Sequence, residues 1–151
     1  MPTIESSICD ITENVWSSVL GLPITRTIGL LNEPGITGCV QIIGAWHGAV
    51  MLRCGARLAE RAATIVFEIE EPTKDQIQDV VAELSNMIGG NIKVLMAQPT
   101  RLSLPTVIDG TDYVARMPGS RLFSEVGFDC EGHRFLVTVL EKVPDQEGPA
   151  A

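Results

Sequence analysis

The period at which apolar residues recur switches three times along this chain, and each switch marks a change of backbone element. From Thr3 to Leu20 the residues Ile4, Ile8, Ile11, Val15 and Val19 are spaced four, three, four and four, which puts them on one helical face. Gly21 and Pro23 then stop the helix. Three runs of strand character follow, Leu22 to Leu31, Ile36 to Ile43 and Trp46 to Arg53, with turn chemistry from Asn32 to Gly35 and a tighter break at Gly44-Ala45. Taken in order they predict an antiparallel meander. Leu58, Ala62, Ile65 and Ile69 restore helical spacing as far as about Phe67 or Ile69, and Glu70, Glu71 and Pro72 break it. Thr73 with Gln76 three residues on matches a capping box, which predicts a third helix from Thr73 to Met96. Strand patterning then returns in Arg101 to Val107, Arg121 to Cys130 and His133 to Glu141. In the second of these Leu122, Ser124, Val126, Phe128 and Cys130 share a face, and Glu131-Gly132 reads as a hairpin turn into the third.

Helix, three strands, helix, helix, three strands is the order of an α+β fold. The expected architecture is a six-stranded, mainly antiparallel sheet in two three-stranded halves, with helices packed on one face. The halves look alike in element order, although no residue-level repeat links them. A chain of 151 residues is the size of one domain, so residues 1–143 are read as a single domain and 144–151, PDQEGPAA, as a disordered tail. Six strands also leave two sheet edges, and an edge is either protected or paired with another subunit.

Charge and cysteine usage exclude several functions. A formal charge of −8 with no basic stripe speaks against nucleic-acid binding, which depends on Lys and Arg neutralising phosphates. Cys9, Cys39, Cys54 and Cys130 lie far apart, and only His47 and His133 could join them on a metal, so reduced thiols are expected rather than ligands or disulfides. No secretory leader or membrane-spanning run appears, which predicts a cytoplasmic protein without a membrane partner.

The third helix carries the segment ELSNMIGGN, residues 83–91, in which two adjacent glycines stand where a helix disfavours them. At ~100° per residue Ile77, Val80, Val81, Leu84, Ile88, Ile92 and Leu95 fall on the core side. Asp79, Glu83, Asn86, Gly90 and Lys93 form a line on the opposite side. Gly89 could end the helix as a C′ residue. The apolar spacing that runs on through Ile88, Ile92 and Leu95 favours continuation instead, at a cost of roughly 0.8–1 kcal/mol per glycine. Gly90 would then clear the outward line for an approaching surface, and Gly89 would ease packing beneath. A carboxamide can hold a water in line with phosphorus, and a carboxylate can pair with a partner's lysine. From Glu-x-x-Asn alone, however, the five residues read first as a solvated helix face.

Asp79-x-x-x-Glu83-x-x-Asn86, followed by Gly-Gly-Asn91 and then by Leu102 to Val107, resembles the CheC, CheX and FliY phosphatases of bacterial chemotaxis, and CheX most. No second Glu-x-x-Asn occurs on the first helix, where Glu13 and Asn14 are adjacent, which fits a single-site, CheX-like member. The resemblance implies a bacterial phosphatase acting on the phospho-aspartate of a CheY-like receiver domain. Asn86 would orient the attacking water and Glu83 would pair with the receiver's lysine, while Asp79, Gly90 and Lys93 would contribute to docking. No cofactor of the chain's own is implied, Mg²⁺ being expected on the receiver, and a homodimer joined at sheet edges is expected. Pro105 follows Asn86 sooner than in CheC-type spacing and is read as a strand-end device. The competing reading is a non-catalytic module that binds the regulator, as in flagellar switch proteins.

Overall fold

Three short strands, each paired with the hairpin of the other half of the chain, lock the halves together. The computed structural model describes residues 2–29, 31, 33–110 and 118–143. The elements are α1 (Ile4–Leu20), β1 (Thr25–Thr27), β2 (Gly35–Gly44), β3 (Gly48–Gly55), α2 (Ala56–Phe67), α3 (Lys74–Lys93), β4 (Thr100–Leu102), β5 (Thr106–Asp109), β6 (Ser120–Cys130) and β7 (His133–Lys142). They form a seven-stranded sheet in the order β1-β6-β7-β3-β2-β4, with β5 also on β2. Every pairing among these strands is antiparallel.

The predicted meander is therefore corrected. β1 holds only Thr25–Thr27 and pairs with Gly127–Asp129 of β6, about a hundred residues away, instead of with β2. In the same way β4 and β5, from the second half, pair with β2 of the first. The predicted strand Arg101 to Val107 is split, since β4 ends at Leu102 and β5 begins at Thr106. Pro105 lies in that gap, where its missing amide hydrogen removes no ladder bond. The Ser103 hydroxyl fills the break by accepting from the Gln41 amide at 2.8 Å. This split alone makes seven strands where six were expected.

The hairpin turns follow the sequence more closely. Glu131 and Gly132 both adopt positive φ, 53° and 86°, as a two-residue turn between β6 and β7 requires. The face shared along β6 holds from Ser124 to Cys130, but the register shifts between Leu122 and Ser124, and Leu122 is left 59% exposed. The tail at 144–151 and Asn32 of the predicted turn lie outside the described residues.

All three helices pack on one face of the sheet. Ile8, Val15 and Trp16 of α1, Leu58 and Ala62 of α2, and Val81, Leu84 and Ile88 of α3 meet Val40, Val50, Leu52, Val126, Phe135 and Val137 from the strands. Trp16 stacks on Phe135 with ring centroids 4.2 Å apart, and Phe128 adjoins Phe135 at 5.1 Å. Few aromatics are present, and these three gather at one end of the core between α1 and β6–β7. The four cysteines are free thiols. Burial pushes the Cys54 thiol up to about 12. No helix among the described residues is long and apolar enough to cross a membrane.

Candidate functional site

Helix α3 begins at a complete capping box: Thr73 Oγ1 accepts from the Gln76 amide at 3.2 Å, and Gln76 Oε1 accepts from the Thr73 amide at 2.9 Å. The helix continues through both glycines to Lys93. Its last turn departs from the expected extent, since Val94 caps the helix and Leu95, placed on the core side by spacing, is 43% exposed. Leu95 and Met96 donate to the carbonyls of Ile92 and Lys93, tightening the chain, and Gln98 Nε2 donates to the carbonyls of Lys93 and Met96. Those side-chain bonds satisfy acceptors that a longer helix would have used. Met96, 9% exposed, returns to the core.

Gly89 and Gly90 have separate roles. A Cβ on Gly89 would overlap Cγ2 of buried Val40 on β2, so this glycine lets helix and strand touch. One helical turn earlier Ser85, 1% exposed, sits over Gly38 of β2, and a Cβ there would overlap its Oγ. Ser85 satisfies its buried hydroxyl by donating to the Val81 carbonyl at 2.7 Å. Gly90 is half-buried, and a Cβ on it would reach only ordinary contact, 3.7 Å from Leu102 Cδ2. The Ser103–Pro105 break lies opposite Val40, hence level with the turn of α3 from Ser85 to Gly89, and Leu104 in it is 87% exposed.

Above these contacts runs the outward line. Asp79 and Glu83 are exposed and Asn86 is half-buried, and none of the three side chains bonds to another described residue. Glu83 and Asn86, three apart, are neighbours on the helix surface. Lys93 is half-buried and donates over 3.4 Å to the Thr100 carbonyl, which leaves its ammonium two further donors. Among the described residues no group of three or more His, Cys, Asp or Glu is placed to hold a metal. The line thus offers an unpaired carboxylate, an unpaired carboxamide and a cleared step, the parts needed to dock a cation and orient a water.

Helix α1 packs beside α3 and repeats its plan without its chemistry. It too starts at a capping box, Thr3 with Ser6, and carries a buried hydroxyl, Thr12, that donates to the carbonyl four residues back. Matching Thr12 to Ser85 sets Asp10 and Glu13 where α3 has Glu83 and Asn86. That line has two carboxylates and no carboxamide, so it cannot offer a water both a donor and an acceptor.

Sequence patterning missed a groove of about 270 Å³ on the α1 side of the line, formed by Val19, Val66, Phe67, Asp79, Val80 and Glu83. The signal was present in the exposed end of α2, where Val66 and Phe67 are apolar residues 41% and 37% exposed.

Among curated proteins none matches the sequence. Solved structures share the fold: CheX from Vibrio vulnificus, with TM-score 0.77 and 16% identity, covers 93% of this chain and 97% of its own. CheX from Desulfovibrio desulfuricans has TM-score 0.72 and 19% identity over 92% of this chain and 99% of its own. The CheX–CheY–BeF3–Mg²⁺ complex from Borrelia burgdorferi matches with TM-score 0.71 and 16% identity over 93% and 98%. The family described as chemotaxis phosphatase CheX matches residues 36–129, a span that holds β2 to most of β6 and the whole of α3. With that match over more than half its length, the chain belongs to the CheX family of chemotaxis phosphatases.

Proposed function

We propose that the protein hydrolyses the aspartyl phosphate of a CheY-like receiver domain. What carries this reading is the pair Glu83 and Asn86, turned outward on one line of α3 and held by no other described side chain, in a chain of a chemotaxis phosphatase family. Glu83 pairs with a lysine of the receiver and fixes the register of docking. Asn86 accepts from and donates to one water and aligns it with phosphorus. The water oxygen forms the new P–O bond as the bond to the aspartate oxygen breaks; the carboxylate leaves with its electron pair, and the water's proton passes to phosphate and solvent. Mg²⁺ on the receiver supplies charge neutralisation, and this chain contributes position. Asp79 and Lys93 flank the contact, and Gly90 keeps a side chain out of it. The protein acts as a homodimer joined at sheet edges: β1 covers only Gly127–Asp129 of β6, and the edge from Ser120 to Val126 has no partner strand among the described residues.

The test mixes the purified protein with a phosphorylated CheY-like receiver and follows phosphate release. Asn86→Ala should lower the rate by about 10²-fold or more, the scale of removing one transition-state positioning group. An unchanged rate overturns the mechanism. Binding of the phosphorylated receiver without any release, by the unaltered protein, would assign the chain to the non-catalytic, flagellar-switch-like class.

A further inference from the structure

We propose that the groove beside Glu83 holds a long basic side chain of the receiver, separate from the lysine that Glu83 meets, and so helps to decide which receivers are accepted. This rests on the receiver-phosphatase reading above, because the groove shares Asp79 and Glu83 with the docking line.

The lining sets the chemistry of the occupant. Val80, 3% exposed, forms the floor, with Val66 and Phe67 from the end of α2 and Val19 from the end of α1 as walls. Asp79 and Glu83 stand at the rim, and neither has a cation of its own among the described residues; Lys74, on the first turn of α3, is engaged with Asp109 at 3.1 Å. A wholly apolar occupant would desolvate two carboxylates without pairing them, and an acidic one would be repelled. A Lys or Arg meets both demands, laying its methylene stem along the apolar walls and its cation at the carboxylates. An arginine would also gain from an aromatic wall. At about 270 Å³, some nine times the ~30 Å³ a water occupies in the liquid, the groove admits one such side chain but no helix or strand. The fit is local and needs no net attraction, which a chain of formal charge −8 would not offer to an acidic receiver.

Phe67→Ser and Val66→Lys remove the wall and place a like charge in the groove. Steady-state dephosphorylation of a phosphorylated CheY-like receiver should show KM raised about tenfold or more for each, with kcat within twofold. The Val66→Lys increase should shrink between 0.05 and 0.5 M salt as the repulsion is screened. Unchanged KM in both variants overturns the groove while leaving the phosphatase reading intact, provided Asn86→Ala still lowers turnover by about 10²-fold or more. A KM effect of Phe67→Ser with none from Val66→Lys means an apolar occupant and also overturns the proposal. A drop in the size of the unmixed protein on Phe67→Ser would give the groove to a second copy of this chain. Thermal unfolding of each variant separates these outcomes from loss of fold.

Discussion

Replacing each of the two adjacent glycines of α3 by alanine should raise stability at Gly90 and leave it level or lower it at Gly89. Both substitutions gain ~0.8–1 kcal/mol of helix propensity, part of it by restricting the unfolded chain. At Gly90 nothing opposes the gain, since the new methyl would lie 3.7 Å from Leu102 Cδ2 in ordinary contact. At Gly89 the methyl would overlap Cγ2 of Val40, which is 1% exposed and, as a β-branched residue, stiff at χ1. Overpacking of this kind costs about 1–3 kcal/mol. Gly90→Ala should therefore gain about 1 kcal/mol, and Gly89→Ala should range from neutral to a loss of about 2. The propensity gain cancels between the variants, so their difference of about 1–3 kcal/mol reports the overlap alone. Urea unfolding at constant m measures it, and for a domain of this size the midpoint temperatures should separate by several degrees. Combining Gly89→Ala with Val40→Ala should show favourable coupling of about 1 kcal/mol or more. Equal stabilities for the two single variants, within about 0.3 kcal/mol, would refute the close contact between helix and strand.

Three further outcomes test other parts of the structure. Gly38→Ala, aimed at Ser85 beneath the site, should cost about 1–3 kcal/mol and lower kcat by displacing Asn86, both read from one preparation by urea unfolding and phosphate release. Thr73→Ala removes the capping bond at the start of α3 and should cost about 1 kcal/mol with unchanged m. Cys54 stays a neutral thiol until about pH 12 when folded but ionises near 9 when unfolded, so its contribution to stability should be lost as pH rises between those values; alkylation at pH 8 should label it only after denaturation, and native labelling would refute its burial.

What could be read from the sequence was local. The capping box at Thr73, the turn at Glu131-Gly132 and the core face of α3 from Ile77 to Ile92 each rest on residues within a few positions of one another, and each appears where expected. The exchange of β1 and of β4–β5 between halves depends on partners far apart in the chain, and no spacing rule encodes it. Leu95 was misplaced because periodicity runs past a helix end that is set by Gln98, a side chain outside the pattern. Asn86 and Glu83 stood out through their family pattern and the bare residues that follow. The groove did not, because Val19, Val66 and Phe67 meet only when the ends of α1 and α2 converge beside α3.

The pairing of Gly38 under Ser85 and Gly89 over Val40 bears on how the site answers force. Most helices ride on a sheet through a layer of interdigitated side chains, whose small rotamer adjustments let the helix yield when another body presses on it. Here two points one helical turn apart rest with almost no intervening side chain, and Asn86 lies between them on the outer surface. An arriving partner therefore meets a seat with little recoil. Packed protein is nearly incompressible, so under the proposed function binding energy that would be dissipated in deforming a cushioned helix would be left to hold water against phosphorus.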